Sequence, residues 1–204
     1  IIVNWNTRDI LIDCLNSIYK TVTDIDWQIY VVDNNSTDGS QDAVKNGFPD
    51  VKLIANETNT GFAHANNQAL SVIQGRFAVL LNSDAVLQEG AINSLLNFMD
   101  NTPGAGIAGV QLLNEDGSRQ NSIDNFPSLE TEILNKSILR LISPNKYPSK
   151  AGNYNAPIEV DSVIGACMMV RKEAMDAVGL LDEDYFIFLE ETDWCFRMHK
   201  KGWK

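Results

Sequence analysis

Apolar residues in this chain fall into short runs separated by stretches of helical spacing, and the alternation holds for the first half. Ile1–Val3 is a β-branched run of the kind that fills a buried strand. Ile10, Leu11, Cys14, Leu15 and Ile18 then recur at helical intervals, with Thr7 placed to cap the helix they predict. Trp27–Val32 reads as a second strand, closed by Asp33-Asn34-Asn35-Ser36, and Gln41–Asn46 as a short helix. Val51–Ala55 and Phe77–Leu81 are the third and fourth strands, with a helix from Phe62 to Ile73 between them. Ile92, Leu95, Leu96 and Met99 mark a further helix, and Gly106–Leu113 a fifth strand.

Strands alternating with helices predict an α/β domain, a parallel sheet with helices on both faces. Right-handed crossovers then put the loops after successive strands along one edge, where ligands of such sheets bind. The residues expected there are Asn4–Asn6, Asp33–Asp38, Asn56–Gly61 and Asn82–Asp84. Turn chemistry accounts for any one of these polar clusters; four in series point to a site.

The alternation fails after Leu113. Asn114-Glu115-Asp116-Gly117 predicts a hairpin turn, and Pro127, Pro144, Pro148 and Gly152 then punctuate the chain. Leu129, Ile133, Leu134, Ile138, Leu141 and Ile142 keep helical spacing within that stretch. The expectation there is core packing or a dimer contact, with an amphipathic helix resting on a membrane as the alternative. Its charges, Glu130, Glu132, Lys136 and Arg140, are mixed rather than basic. Ile158–Val170 predicts another strand, followed by a short helix ending at Gly179. The whole reads as one domain: residues 1–113 as a nucleotide-binding half, 114–204 as an acceptor-side half, and the chain as a fragment of a longer protein.

Length and composition add exclusions. The 204 residues suit a single core, and 44% hydrophobic with 21% charged residues is ordinary for a globular domain. A net charge of −11 argues against a nucleic-acid partner but not against a nucleotide neutralised by a metal. Cys14, Cys167 and Cys195 lack zinc-site spacing and read as reduced thiols of a cytoplasmic protein. No apolar run reaches the ~20 residues that span a bilayer.

Candidate chemistry rests on acids at two distant places. Asp33 ends a strand, where a carboxylate can accept hydrogen bonds from a base or ribose, or simply close a turn. Asp84 follows VLLNS and can hold Mg²⁺ or Mn²⁺ against a diphosphate, or cap a helix. Glu190, Glu191 and Asp193 open a helix; Glu190 and Asp193 share a face and Glu191 points roughly 100° away from Glu190. A helix N-terminus favours the carboxylate anion, so an acid there is expected to stay deprotonated and serve as a base. Arg197, four residues after Asp193, can pair with it and leave Glu191 the freer candidate. His64 lies near a strand-end loop, within reach of a phosphate or simply solvated. Gly165-Ala166 permits close approach of a sugar or of another backbone.

The segments IIVNWNTRDILIDCLNSI, VVDNNSTDGS, NTGFAHANNQAL, LLNSDAVL and VIGACMMVRKEAMDAVGLLDEDYFIFLEETDWCFR occur in the order found in family 2 glycosyltransferases. The chain resembles that family over nearly its whole length, and its bacterial rhamnosyltransferase-like members most. The resemblance weakens over 114–155. It implies a GT-A fold and inverting transfer of a sugar, rhamnose by analogy, from a dTDP- or UDP-sugar to a cell-surface glycan or lipid-linked acceptor. It implies a cytoplasmic enzyme at the inner face of the cell membrane. It places Asn4, Asn6, Asp33, Asn59, Gly61, Asn82 and Ser83 around the nucleotide and Asp84 on the metal. Gly165, Ala166 and Glu190 fall on the acceptor side. Glu191 stands at the base position, with Asp193 as the competing acid. Two departures stand out: Ser83 replaces a middle carboxylate of the metal element, and Glu191 replaces the more usual Asp. A sugar-phosphate nucleotidyltransferase would need a glycine-rich basic loop where Asn4–Arg8 stands. A dehydrogenase would need GxGxxG there. A non-catalytic sugar-binding module would not need the acids at 84 and 191.

Overall fold

The computed structural model describes residues 1–204 except 134, 145, 150, 151 and 153, with backbone alone at 131, 132, 136 and 140. Its elements are β1 (Ile2–Asn4), α1 (Arg8–Thr21), β2 (Tyr30–Asp33), α2 (Ser40–Gly47), β3 (Lys52–Ala55), α3 (Phe62–Leu70), β4 (Phe77–Leu81) and α4 (Ala91–Asn101). There follow β5 (Ile107–Gly109), β6 (Ile123–Asp124), α5 (Leu129–Ile133), α6 (Lys136–Ile142), β7 (Ser162–Val163), β8 (Cys167–Arg171), α7 (Lys172–Val178) and α8 (Glu190–Lys200).

β1, β2 and β3 pair in parallel, Ile2 opposite Val31 and Val31 opposite Leu53. Ile1 joins this group to β4: its N donates to Val79 O at 2.8 Å and its O accepts from Leu81 N at 3.0 Å, the slanted pattern of parallel strands. β8 pairs antiparallel with both β4 and β5. The strands therefore lie in the order β3-β2-β1-β4-β8-β5, and the chain reverses direction across the sheet between β1 and β4, where ligands of open α/β sheets bind. The expected mostly parallel sheet is present. Two strands are markedly shorter than expected: Gly106–Leu113 forms only Ile107–Gly109, and Ile158–Val170 is not continuous but breaks at Ile164–Ala166 into β7 and β8. β8 runs against its neighbours because it is inserted between β4 and β5 from far along the chain.

Alternation along each strand assigns the two faces. Ile2, Val31, Leu81, Cys167 and Met169 bury against α1, α2 and α4. Val32, Leu80, Met168 and Val170 point the other way, onto α3, α7 and α8. Strands buried on both faces carry the continuous apolar runs seen in the sequence. The thiols of Cys14 and Cys167 are buried and unpaired, and burial pushes them up to about 12 and about 11, outside the range of a reactive thiolate.

The 114–117 turn forms as expected, closed by an antiparallel bridge between Leu113 and Arg119. The core packing expected for the 129–142 stretch is not formed, apart from Leu139. The stretch is two short helices divided at Asn135, whose side chain accepts the Ser137 amide and starts α6. Leu139 is buried, but Leu129, Ile133, Ile138, Leu141 and Ile142 face solvent. Leu134 and the side chains of Glu132, Lys136 and Arg140 lie outside the described residues. No helix among the described residues is long and apolar enough to cross a membrane.

Candidate active site

The strand ends converge on a buried polar hub. Asn4, fully buried at the end of β1, donates from Nδ2 to Asp33 Oδ2 at 2.7 Å and to Ser36 Oγ at 3.1 Å. Asp33 Oδ1 accepts from Ser36 N and Gln41 Nε2, both at 2.8 Å. A buried carboxylate is stable only when its lone pairs are met, and three donors meet them here. Thr7 occupies the cap position of α1 but makes no capping bond. Its hydroxyl instead donates to Asn4 Oδ1 at 2.6 Å and lies 3.1 Å from Ser83 Oγ. This corrects the helix-cap expectation and links the ends of β1, β2 and β4 in one network. Asn6, in the left-handed region with φ 54°, accepts from the Thr37 amide.

A second network builds the next loop. Asn34 Nδ2 donates to Asn59 Oδ1 and to Gly61 O, and Asn56 Nδ2 donates to Asn34 Oδ1. Asn59 Oδ1 also accepts the Gly61 amide at 3.0 Å. Gly61 has φ 84° and ψ 176°, a conformation nearly confined to glycine. The segment before α8 closes over it, with Phe62 N donating to Phe186 O at 2.8 Å. His64 bonds Glu183 at 2.8 Å, which occupies the ring nitrogen facing that segment.

Gly165-Ala166 touches both the Asn82–Asp84 element, through Asn82, and Glu191. Asn82 N donates to Ala166 O at 3.0 Å, which ties the Asn82–Asp84 element to the break between β7 and β8. A Cβ on Gly165 would lie 3.7 Å from both Cβ and Cγ of Glu191 and 3.9 Å from its Cδ. One side of this dipeptide thus abuts the strand end leading to Asp84, and the other lies along the Glu191 side chain.

The three acids of α8 have three different surroundings. Trp194 and Met198 fall on the face that Glu190 shares at i, i+4 and i+8, and all three are buried; Trp194 Nε1 anchors the helix to Gly179 O at 2.8 Å. Glu190 is 4% exposed, its Oε2 has no hydrogen-bond partner, and burial raises its pKa to about 7, with the Glu191 charge adding to the rise. Glu191 is half-buried, and burial outweighs the amides of Glu191 and Thr192 to raise its pKa, with Asp124 contributing. Burial thus opposes the stabilisation of the anion expected from the helix end. Asp193 is held by Arg197 Nε at 2.6 Å, and Arg197 Nη1 and Nη2 donate to Val178 O and Leu180 O. The pairing expected from the i, i+4 spacing is present.

Asp84 is exposed and has no hydrogen bond or ion pair among the described residues, and no cluster of three ligating side chains occurs among them. A single unengaged carboxylate is a donor set suited to a hard cation whose other ligands are phosphate oxygens and water, not to an all-protein cage. The donors therefore fit Mg²⁺ or Mn²⁺ shared with a diphosphate.

Gln41 in the hub and Asp124 near Glu191 were not anticipated as site residues, Thr7 was expected only as a cap, and Asn34, Ser36 and Asn56 fell inside the expected polar clusters without a role of their own. Thr7 and Ser36 carried a signal, being hydroxyls beside strand ends; Asp124 lies in the stretch where periodicity is lost and carried none.

The profile of glycosyl transferase family 2 matches residues 1–179, ending before α8. The chain is 28% identical over 190 residues to N-acetylglucosaminyl-diphospho-decaprenol L-rhamnosyltransferase of Mycobacterium tuberculosis, covering 86% of this chain and 62% of the relative. It is 28% identical over 205 residues to dTDP-rhamnosyl transferase RfbF of Shigella flexneri, covering 99% and 63%. The chain thus spans under two thirds of the length of either relative. Among solved structures it superposes on the mannosyltransferase PcManGT of Pyrobaculum calidifontis, in complex with GDP-Man and Mn²⁺, with TM-score 0.70 at 17% identity over 100% of this chain and 52% of that one. It superposes on S. aureus TarS 1–349 in complex with UDP-GlcNAc with TM-score 0.63 at 17% identity, covering 97% and 51%. These likenesses show the GT-A-like fold, and with the profile match they establish that the chain belongs to glycosyl transferase family 2.

Proposed function

We propose that the chain carries out inverting, divalent-cation-assisted transfer of a sugar from a dTDP- or UDP-sugar to a hydroxyl of a lipid-linked or cell-surface glycan, with rhamnose as the sugar. The observation that carries this reading is the Gly165-Ala166 strip, with Asn82 hydrogen-bonded on one side and Glu191 packed on the other. Rhamnosyltransferase relatives support the donor, and the relative named for a diphospho-decaprenol substrate supports a lipid-linked acceptor at the inner face of the cell membrane.

In this mechanism Glu191 is the general base. Its raised pKa makes it a stronger proton acceptor than an ordinary surface carboxylate. It removes the proton from the acceptor hydroxyl as that oxygen bonds to the anomeric carbon. The bond from that carbon to the diphosphate oxygen breaks in the same step, which inverts the configuration. Asp84 would hold the cation, which when bound would supply positive charge at the diphosphate. The hub of Asn4, Asp33, Thr7 and Ser83 fixes the floor of the nucleotide pocket, bounded by Asn6, Asn59 and Gly61. Both Asp33 oxygens are already engaged, so a base contact at Oδ1 displaces the Gln41 amide. Asp193, neutralised by Arg197, holds the helix. Gly165, Ala166 and Glu190 border the acceptor side.

Measuring nucleotide release from dTDP-rhamnose and UDP-GlcNAc with and without Mn²⁺ tests the reading. Release should depend on the cation and vanish in Asp84→Ala. Binding without turnover of any donor would make the domain a sugar-binding module instead. Product NMR showing retained anomeric configuration would exclude the single displacement.

A further inference from the structure

Phe186 stands where the donor loop meets the segment leading to the base. Its carbonyl accepts the Phe62 amide. A Cβ on Gly61 would come within 2.9 Å of its Cδ2 and 3.2 Å of its Cε2, so one edge of the ring is fixed against the donor loop. The residue is nonetheless 58% exposed, which leaves much of the ring open.

This is not a loose surface side chain. Asn67 exchanges hydrogen bonds with Leu181, donating at 2.8 Å and accepting at 3.1 Å. Asn67 and His64 both hold Glu183. After Phe186, Phe188 and Leu189 take φ of 71° and 72°, a left-handed pair costing of order 1 kcal/mol or more per residue. That bend turns the chain directly into Glu190 and Glu191. An aromatic ring held open by an anchored, strained segment forgoes the stabilisation that burial would give it. A ligand that covers the ring recovers it.

Resting on the function proposed above, we propose that Phe186 is a sugar-stacking residue of this site, taking the apolar face of a pyranose at the junction of the donor loop and the Glu191 helix. The C–H groups on one face of a pyranose suit the negative face of an aromatic ring. Two sugars pass through the site, the transferred one and the acceptor's terminal one, and both offer this chemistry.

The test uses Phe186→Leu, which keeps apolar bulk against Gly61, and Phe186→Trp, which keeps the aromatic face; thermal melts establish that both fold. Calorimetry in Mn²⁺ compares dTDP with dTDP-rhamnose and UDP with UDP-GlcNAc, and kinetics give KM for octyl N-acetylglucosaminide. Phe186→Leu should bind dTDP and UDP as the wild type does. It should lose about 2–10-fold either in the advantage of a nucleotide-sugar over its nucleotide, assigning the donor sugar, or in acceptor KM, assigning the acceptor. Phe186→Trp should retain that advantage. Leucine matching the wild type in both arms, or weakening nucleotide and nucleotide-sugar equally, overturns the stacking role alone. A wild type that binds no nucleotide-sugar overturns the proposed function and this role together.

Discussion

Gly61→Ala should break the joint between the two halves of the site, and its cost can be worked from the geometry. Two effects add. At φ 84° and ψ 176° the backbone lies where an L-residue is strained, which costs about 1–3 kcal/mol. The new Cβ would also sit 2.6 Å from the Phe186 carbonyl oxygen, a backbone atom already bonded to Phe62 N. Neither partner can rotate away, so the segment before α8 must shift, at a further cost of about 1–3 kcal/mol. The total, about 2–6 kcal/mol, is a large share of the ~5–15 kcal/mol that holds a domain folded. The same shift pulls on the Asn34 and Asn59 bonds to Gly61, so nucleotide binding should weaken as well. Gly165→Ala is the control: its Cβ would meet Glu191 at 3.7 Å, ordinary contact, and its φ is not left-handed. Urea unfolding should show a loss of at least about 2 kcal/mol for Gly61→Ala and under about 1 kcal/mol for Gly165→Ala. Equal stability of Gly61→Ala and wild type, or equal loss in both variants, would refute the interlock.

Three further outcomes follow from individual side chains. Glu190 titrates near 7 when folded and near 4.5 when unfolded, so the folded state holds the proton more tightly; stability falls as pH rises from about 4.5 to 7, by up to about 3 kcal/mol, and Glu190→Gln should flatten that fall in urea melts at pH 5 and 8. Arg197→Ala should cost about 2–4 kcal/mol because it strips partners from Asp193, Val178 O and Leu180 O at once, as thermal unfolding would show. Asn4→Ala leaves Asp33 Oδ2 buried without its donor and should cost about 1–3 kcal/mol, with weaker dTDP binding by calorimetry.

The first half of the fold is legible because its inner strands are buried on both faces and its helices on one, so burial writes its period into the residues; β3, at the sheet edge, is only partly covered. Leu11, Cys14, Leu15 and Ile18 are core as their spacing indicates, while Ile10 at the margin of the stripe is half-exposed. β8 defeated the reading in a specific way: its antiparallel direction is set by insertion between β4 and β5, which leaves no local trace. Exposure of the 129–142 apolar positions likewise cannot be read from spacing, which reports a shared face and not what covers it. In the site, the Asp193–Arg197 pair was visible as an i, i+4 spacing. Burial of Glu190 was visible too, had Trp194 and Met198 been counted on its face. The hub around Asn4 and the Phe186–Gly61 contact join residues 29 to 125 positions apart, beyond any sequence period.

The division of labour in α8 is the central claim, and transfer by Glu191→Gln and Asp193→Asn, measured side by side with donor binding, tests it most directly. Glu191→Gln should lose about 10²–10⁴-fold in kcat while binding the nucleotide-sugar within about 3-fold of wild type, and Asp193→Asn should keep most of its turnover on a less stable fold. An active Glu191→Gln beside an inactive, well-folded Asp193→Asn would contradict the account and move the base to Asp193.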